Sequence, residues 1–126
     1  MQAKLVPVVI KLKNTYGLWQ KYLVDFPNSS KYTLGSKIDD VFINAIEFTF
    51  LASYANVKEK LPIIDRSISR VDLVKLLLLL AWETKNISTN KYAELSISLD
   101  DIGKMLGGWR KQVEQKTSET PQKKNY

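Results

Sequence analysis

Two adjacent carboxylate pairs, Asp39-Asp40 and Asp100-Asp101, are the residues that come nearest to acid–base or metal chemistry. Helical neighbours at i and i+1 do not face one another, so neither pair converges on one reacting atom. Both pairs read as surface carboxylates. The chain contains no Cys and no His. That composition removes thiolate nucleophiles, Cys/His zinc sites and every imidazole-based proton transfer. It also removes the Glu-x-x-His motifs on which a di-metal helical centre depends. No phosphate-binding glycine loop and no strand–turn–helix dinucleotide fingerprint is present. The expectation is a protein without catalytic residues, metal or cofactor.

The basic residues carry more information. Of 126 residues, 19 are Lys or Arg and 13 are Asp or Glu, a net charge of +6. Lys4, Lys11, Lys13 and Lys21 precede the first acid, Asp25. Residues 110–126 hold Arg110, Lys111, Lys116, Lys123 and Lys124 against Glu114 and Glu119. Between these ends the chain is close to neutral, so the positive excess belongs to its two ends. A basic surface of this kind attracts polyanions. Tyr16, Trp19 and Tyr22 lie among these bases; aromatic rings can stack on nucleobases, but the spacing of Tyr16 and Trp19 fits core packing.

Four amphipathic segments position these charges. Val9, Leu12, Tyr16, Trp19, Leu23 and Phe26 recur at spacings of three and four, predicting a helix over about 8–26 that Pro27 ends. A second helix, about 34–55, begins after Thr33 as N-cap and carries Leu34, Ile38, Val41, Phe42, Ala45 and Ala52. A third, about 62–85, starts at Pro62. A fourth, about 89–113, follows Ser88 or Thr89 and contains Gly103, Gly107 and Gly108. Beyond about Lys116 no apolar period remains, which predicts a disordered basic tail over 116–126. Residues 1–115 then form an all-α, antiparallel, up-down-up-down four-helix bundle. In that topology the first helix begins where the fourth ends, so the two basic chain ends share one pole.

The start of the chain lacks the apolar core of a signal peptide. The longest apolar run, Leu76–Trp82, has seven residues, against the ~20 that span a bilayer. A soluble, cytoplasmic protein is expected. That run and Phe50, Leu51 and Tyr54 widen the apolar stripes beyond what one bundle core needs. Phe50, Leu51, Tyr54, Leu78 and Leu79 are therefore expected at an interface between copies of the chain.

Three stretches carry a family resemblance: Phe26-Pro-Asn-Ser-Ser-Lys-Tyr-Thr-Leu-Gly-Ser-Lys-Ile, Val71-Asp-Leu-Val-Lys-Leu-Leu-Leu-Leu-Leu-Ala-Trp-Glu and Ile102-Gly-Lys-Met-Leu-Gly-Gly-Trp-Arg-Lys. Over about residues 6–112 the chain resembles the accessory variability determinants, Avd, of diversity-generating retroelements. These share a four-helix-bundle family with proteins encoded in intervening sequences of bacterial ribosomal RNA genes. The resemblance implies a pentameric, barrel-like assembly of bundles with a basic surface. It implies partners too: RNA or DNA, and the element's reverse transcriptase, in mutagenic copying of template RNA. It carries Lys75, Lys104 and Arg110 over as basic family positions. Leu79 stands where relatives often have Arg.

With the chain-end bases, the expected nucleic-acid-binding set is Lys4, Lys11, Lys13, Lys21, Lys75, Lys104, Arg110 and Lys111. Gly103, Gly107, Gly108 and Trp109 are expected as packing devices, since Gly permits close approach of another chain segment. An alternative is an intervening-sequence-type or free-standing interaction protein of the same fold without a reverse transcriptase partner.

Overall fold

A computed structural model describes residues 5–124, and the side chains of residues 5–117. The described residues form four long helices and no strand. These are α1 (Pro7–Leu23), α2 (Ser36–Tyr54), α3 (Val57–Glu83) and α4 (Thr89–Lys124). Each packs against its neighbours in chain order, and α4 closes the ring against α1.

The cross-links fix the directions. Tyr16 meets Phe42, and Trp19 and Gln20 both donate to Asp39, so α1 and α2 run antiparallel. Lys11 faces Asp101 and Tyr22 bonds to Glu94, which sets α1 antiparallel to α4. Lys75 faces Asp100 and Arg110 faces Asp65, which does the same for α3 and α4. The up-down-up-down order expected from the periodicity is the one observed.

The core follows the three-and-four spacing. Leu12, Trp19, Ile38, Phe42, Val74, Leu78, Leu95, Leu99, Ile102 and Leu106 are fully buried or nearly so. A second apolar group, Ala52, Ile64 and Val113, extends the core toward the α2–α3 turn. Three buried hydroxyls stay inside because each bonds a carbonyl one turn back: Thr15 to Lys11, Thr49 to Ala45 and Ser67 to Ile63. A buried hydroxyl without such a partner would cost on the order of 1–3 kcal/mol.

The helix boundaries depart from the sequence reading in three places. Thr33 does not cap α2; its hydroxyl bonds back to the Ser30 carbonyl. The chain instead enters α2 through a helical turn at Asn28–Ser30 and a π turn at Lys31–Gly35. Gly35 is needed there, because a Cβ would lie 2.8 Å from Leu23 Cδ1 and 3.4 Å from Phe26 Cδ2. Helix α3 begins at Val57, not Pro62. Asn56 accepts from the Glu59 amide at 3.1 Å, and Pro62 lies inside the helix. Helix α4 runs on past Val113 to Lys124, through residues expected to be irregular. The missing apolar stripe there speaks against burial, but Glu114, Gln115 and Lys116, which follow Val113, are good helix formers whether buried or not.

Candidate nucleic-acid interface

The start of α1 lies beside the middle of α4, not beside its end, because α4 runs on to Lys124. Val6, Pro7 and Val8 share a cleft with Lys104, Met105, Gly108, Trp109 and Gln112. The expected basic residues of α1, α3 and α4 stand in two chemically different states. Lys13, Lys21, Lys104 and Lys111 are exposed. None of them makes a hydrogen bond or ion pair among the described residues. On α1 and α4 they take positions between the buried stripes, so their ammonium groups are open to a polyanion.

Three others are already occupied. Lys11 Nζ lies 3.9 Å from Asp101 Oδ2. Lys75 Nζ lies 2.8 Å from Asp100 Oδ1. That hydrogen bond holds the Lys75 ammonium above its ordinary range, against the opposing effect of burial. Arg110 reaches Asp65 at 2.5 Å and Glu114 at 3.3 Å, and the Asp65 bond raises its pKa further. These three act first as links in the bundle: Lys11 ties α1 to α4, and Lys75 and Arg110 tie α3 to α4. Lys4 lies outside the described residues.

The carboxylate pairs follow from the same contacts. Asp39 accepts from the Trp19 indole at 3.0 Å and the Gln20 amide at 2.7 Å. Asp100 and Asp101 are the partners of Lys75 and Lys11. Asp39, Asp100 and Asp101 are thus joints between helices.

The expected self-association residues divide. Phe50, Leu51 and Tyr54 are exposed, with Phe50 and Tyr54 packed edge to face at 4.9 Å. Leu79 is half-buried. Leu78 is a correction: it is fully buried in the core of the single chain and cannot reach a partner. The outward residues of that run are Leu76, 59% exposed, and Leu80, 44% exposed. The signal was available in the spacing. At 3.6 residues per turn, Leu78 continues the Val71–Val74 stripe and Leu76 points away from it.

The glycines are a second correction. An added Cβ at Gly103, Gly107 or Gly108 would meet nothing within 4 Å. They are not close-approach positions inside this chain. Trp109 does pack: it is half-buried against both apolar groups of the core. The Lys60 ammonium lies 5.9 Å from its ring centre.

Among the described residues no helix is long and apolar enough to cross a membrane. Searches of the curated proteins and of the solved structures give no match. A protein-family model described as bAvd-like matches residues 9–113, which takes in α2 and α3 whole, most of α1 and α4, and every expected basic residue but Lys4. With the helical order found here, that match over most of its length shows that the chain belongs to the bAvd-like family.

Proposed function

We propose that this protein is a non-enzymatic accessory factor of a diversity-generating retroelement, working in the cytoplasm. It binds template RNA or its DNA copy through the open ammonium groups of α1 and α4, and it binds the reverse transcriptase of the element. Copies of the chain associate through outward apolar residues of α2 and α3, namely Phe50, Leu51, Tyr54, Leu76 and Leu80, with five copies as the number the family resemblance implies. One observation carries the reading: in a bAvd-like chain, Lys13, Lys21, Lys104 and Lys111 stand outward and unpaired while Lys11, Lys75 and Arg110 are consumed inside the bundle.

Contacts of this kind neutralise phosphates and read little sequence. The test is light scattering after size-exclusion chromatography, with and without labelled template RNA, at two salt concentrations. A particle near five times 14.5 kDa that binds RNA at low salt is the expected result. Replacing Lys104 and Lys111 together by Glu should weaken RNA binding with the fold intact. The slope of log affinity against log salt should fall by about two, roughly one for each phosphate that is no longer neutralised. RNA binding unchanged in this variant sinks the interface. Arg110 is the wrong residue to reverse, since a Glu there would face Asp65 and Glu114.

A further inference from the structure

At the opposite pole, the end of α1 and the α3–α4 turn enclose a cleft of about 860 Å³. It contains none of the basic positions expected from the sequence. Its wall is aromatic and rigid. Trp82 stacks on Tyr92 with ring centres 5.2 Å apart and planes 13° from parallel. The Trp82 indole N–H donates to Thr89 Oγ1 at 3.0 Å. Trp82 is nevertheless 38% exposed and lines the cleft. A large ring is therefore held in one orientation outside the core.

The facing wall is fixed as well. Lys91 lies 5.2 Å from the Tyr22 ring centre and pairs with Asp25 at 2.9 Å. That bond holds the Asp25 carboxyl below its ordinary range. Two charged groups lining the cleft remain uncommitted among the described residues, the Lys85 ammonium and the Glu83 carboxylate. Lys85 sits in the left-handed region, φ 64°. There the chain reverses out of α3, with the Lys85 amide on the Trp82 carbonyl and the Asn86 amide on the Ala81 carbonyl. This is a helix end that normally takes Gly. Lys at that position carries a backbone cost and supplies the cleft with an open cation.

We propose that this cleft seats one planar heteroaromatic ring bearing a phosphate: a nucleotide stacked on Trp82, with its phosphate on Lys85 and Glu83 as acceptor for an exocyclic amine. Stacking on an exposed aromatic tolerates any base. The ligand is a free nucleotide or an unpaired residue of a strand, and only the second source rests on the nucleic-acid reading above.

The test uses the full chain with two probes: adenosine monophosphate, and a single-stranded RNA ten-mer carrying one 2-aminopurine whose fluorescence falls on stacking. Trp82→Ala should abolish the fluorescence drop and weaken binding about 5- to 150-fold, the range for one stacked base at 1–3 kcal/mol. Trp82→Phe should restore most of it. Lys85→Gly separates site from scaffold: it should raise the melting temperature while weakening either probe.

If the strand responds to Trp82, the ligand is an unpaired base. If the mononucleotide does and the strand does not bind at all, the site stands for a free nucleotide while the RNA interface falls. A strand bound equally by wild type and Trp82→Ala, with no binding of the mononucleotide, overturns the site and leaves the RNA interface standing. If neither probe binds, both fall. Binding of an arginine-rich peptide in place of both probes also overturns the site, making it an acidic-aromatic receptor.

Discussion

Helices α3 and α4 share a seam bridged by two ion pairs, Lys75–Asp100 and Asp65–Arg110. Their excesses are opposite. Helix α3 carries more apolar residues than the core can take: Val71, Val74, Leu78 and Ala81 are buried, while Leu76 and Leu80 face out. Helix α4 buries Leu95, Leu99, Ile102 and Leu106 and leaves Ile97 outside, 64% exposed. Its larger surplus is glycine, in positions where a side chain would meet open space. The stability of the single chain explains neither surplus. Apolar surface in water gains nothing, and each Gly inside a helix costs up to about 1 kcal/mol relative to Ala. What the fold leaves unexplained therefore lies outward, where a partner would meet it.

The sharpest way to break this comparison is within the leucine run. Leu78→Ala should destabilise the chain by about 2–5 kcal/mol, because it empties a fully enclosed site. Leu76→Ala should stay within about 0.5 kcal/mol of wild type. Chemical denaturation of the two variants measures both. Equal losses would mean that Leu76 also belongs to the core. If Leu76 and Leu80 meet another copy, replacing both by Glu should lower the particle mass in light scattering while the helical signal persists.

The bundle was legible because its helices announce themselves by spacing. Leu95, Leu99, Ile102 and Leu106 can share one face only on a helix, and the buried set bears that out. Helix ends were less legible. Pro62 is a good first-turn residue, but Asn56 with Glu59 is the capping pair, and a rule for Pro alone points to the wrong start. Within Leu76–Trp82 composition hides the face, since every residue is apolar; only the angular step from Val71 and Val74 separates Leu78 from Leu76. Charge was legible in sum and not in state. Nothing local in the sequence says that Lys11, Lys75 and Arg110 find carboxylates on neighbouring helices while Lys104 and Lys111 do not. The Trp82 cleft was invisible for a related reason. It joins Tyr22 and Asp25 to residues about sixty positions away, and the seven-residue apolar run that contains Trp82 reads as core.

On the α4 side the expected effects are smaller and of opposite sign. Gly107→Ala should stabilise the helix by up to about 1 kcal/mol, since the new methyl group meets no atom of the chain. Calorimetry of the variant should show a melting temperature a few degrees higher. Gly103→Ala should act alike, and the two should add. If the glycine face seats a partner, the variants gain stability and lose assembly together. A melting temperature that falls would place these glycines in a contact within the chain and remove the contrast with α3.

The smallest effect concerns the seam that both helices share. Lys75 and Asp100 are each partly exposed, with 39% and 57% of their side-chain surface open. Such a pair contributes about 0.2–1 kcal/mol, so Lys75→Met should cost no more than that near neutral pH. The pH dependence is more informative than the size. In the fold the Lys75 ammonium is held above its ordinary value of 10.5 by the Asp100 carboxylate. Its contribution is therefore fully present below about pH 10.5, and it disappears as pH rises through the higher folded value. The difference between wild type and Lys75→Met should be flat through neutrality and close on the alkaline side. Closure on the acid side above pH 5 would assign the stabilisation to some other group and leave Asp65–Arg110 as the ion pair across the seam. In that case α3 and α4 would be joined mainly by their buried stripes, and the surplus leucines of α3 would still call for a partner outside the chain.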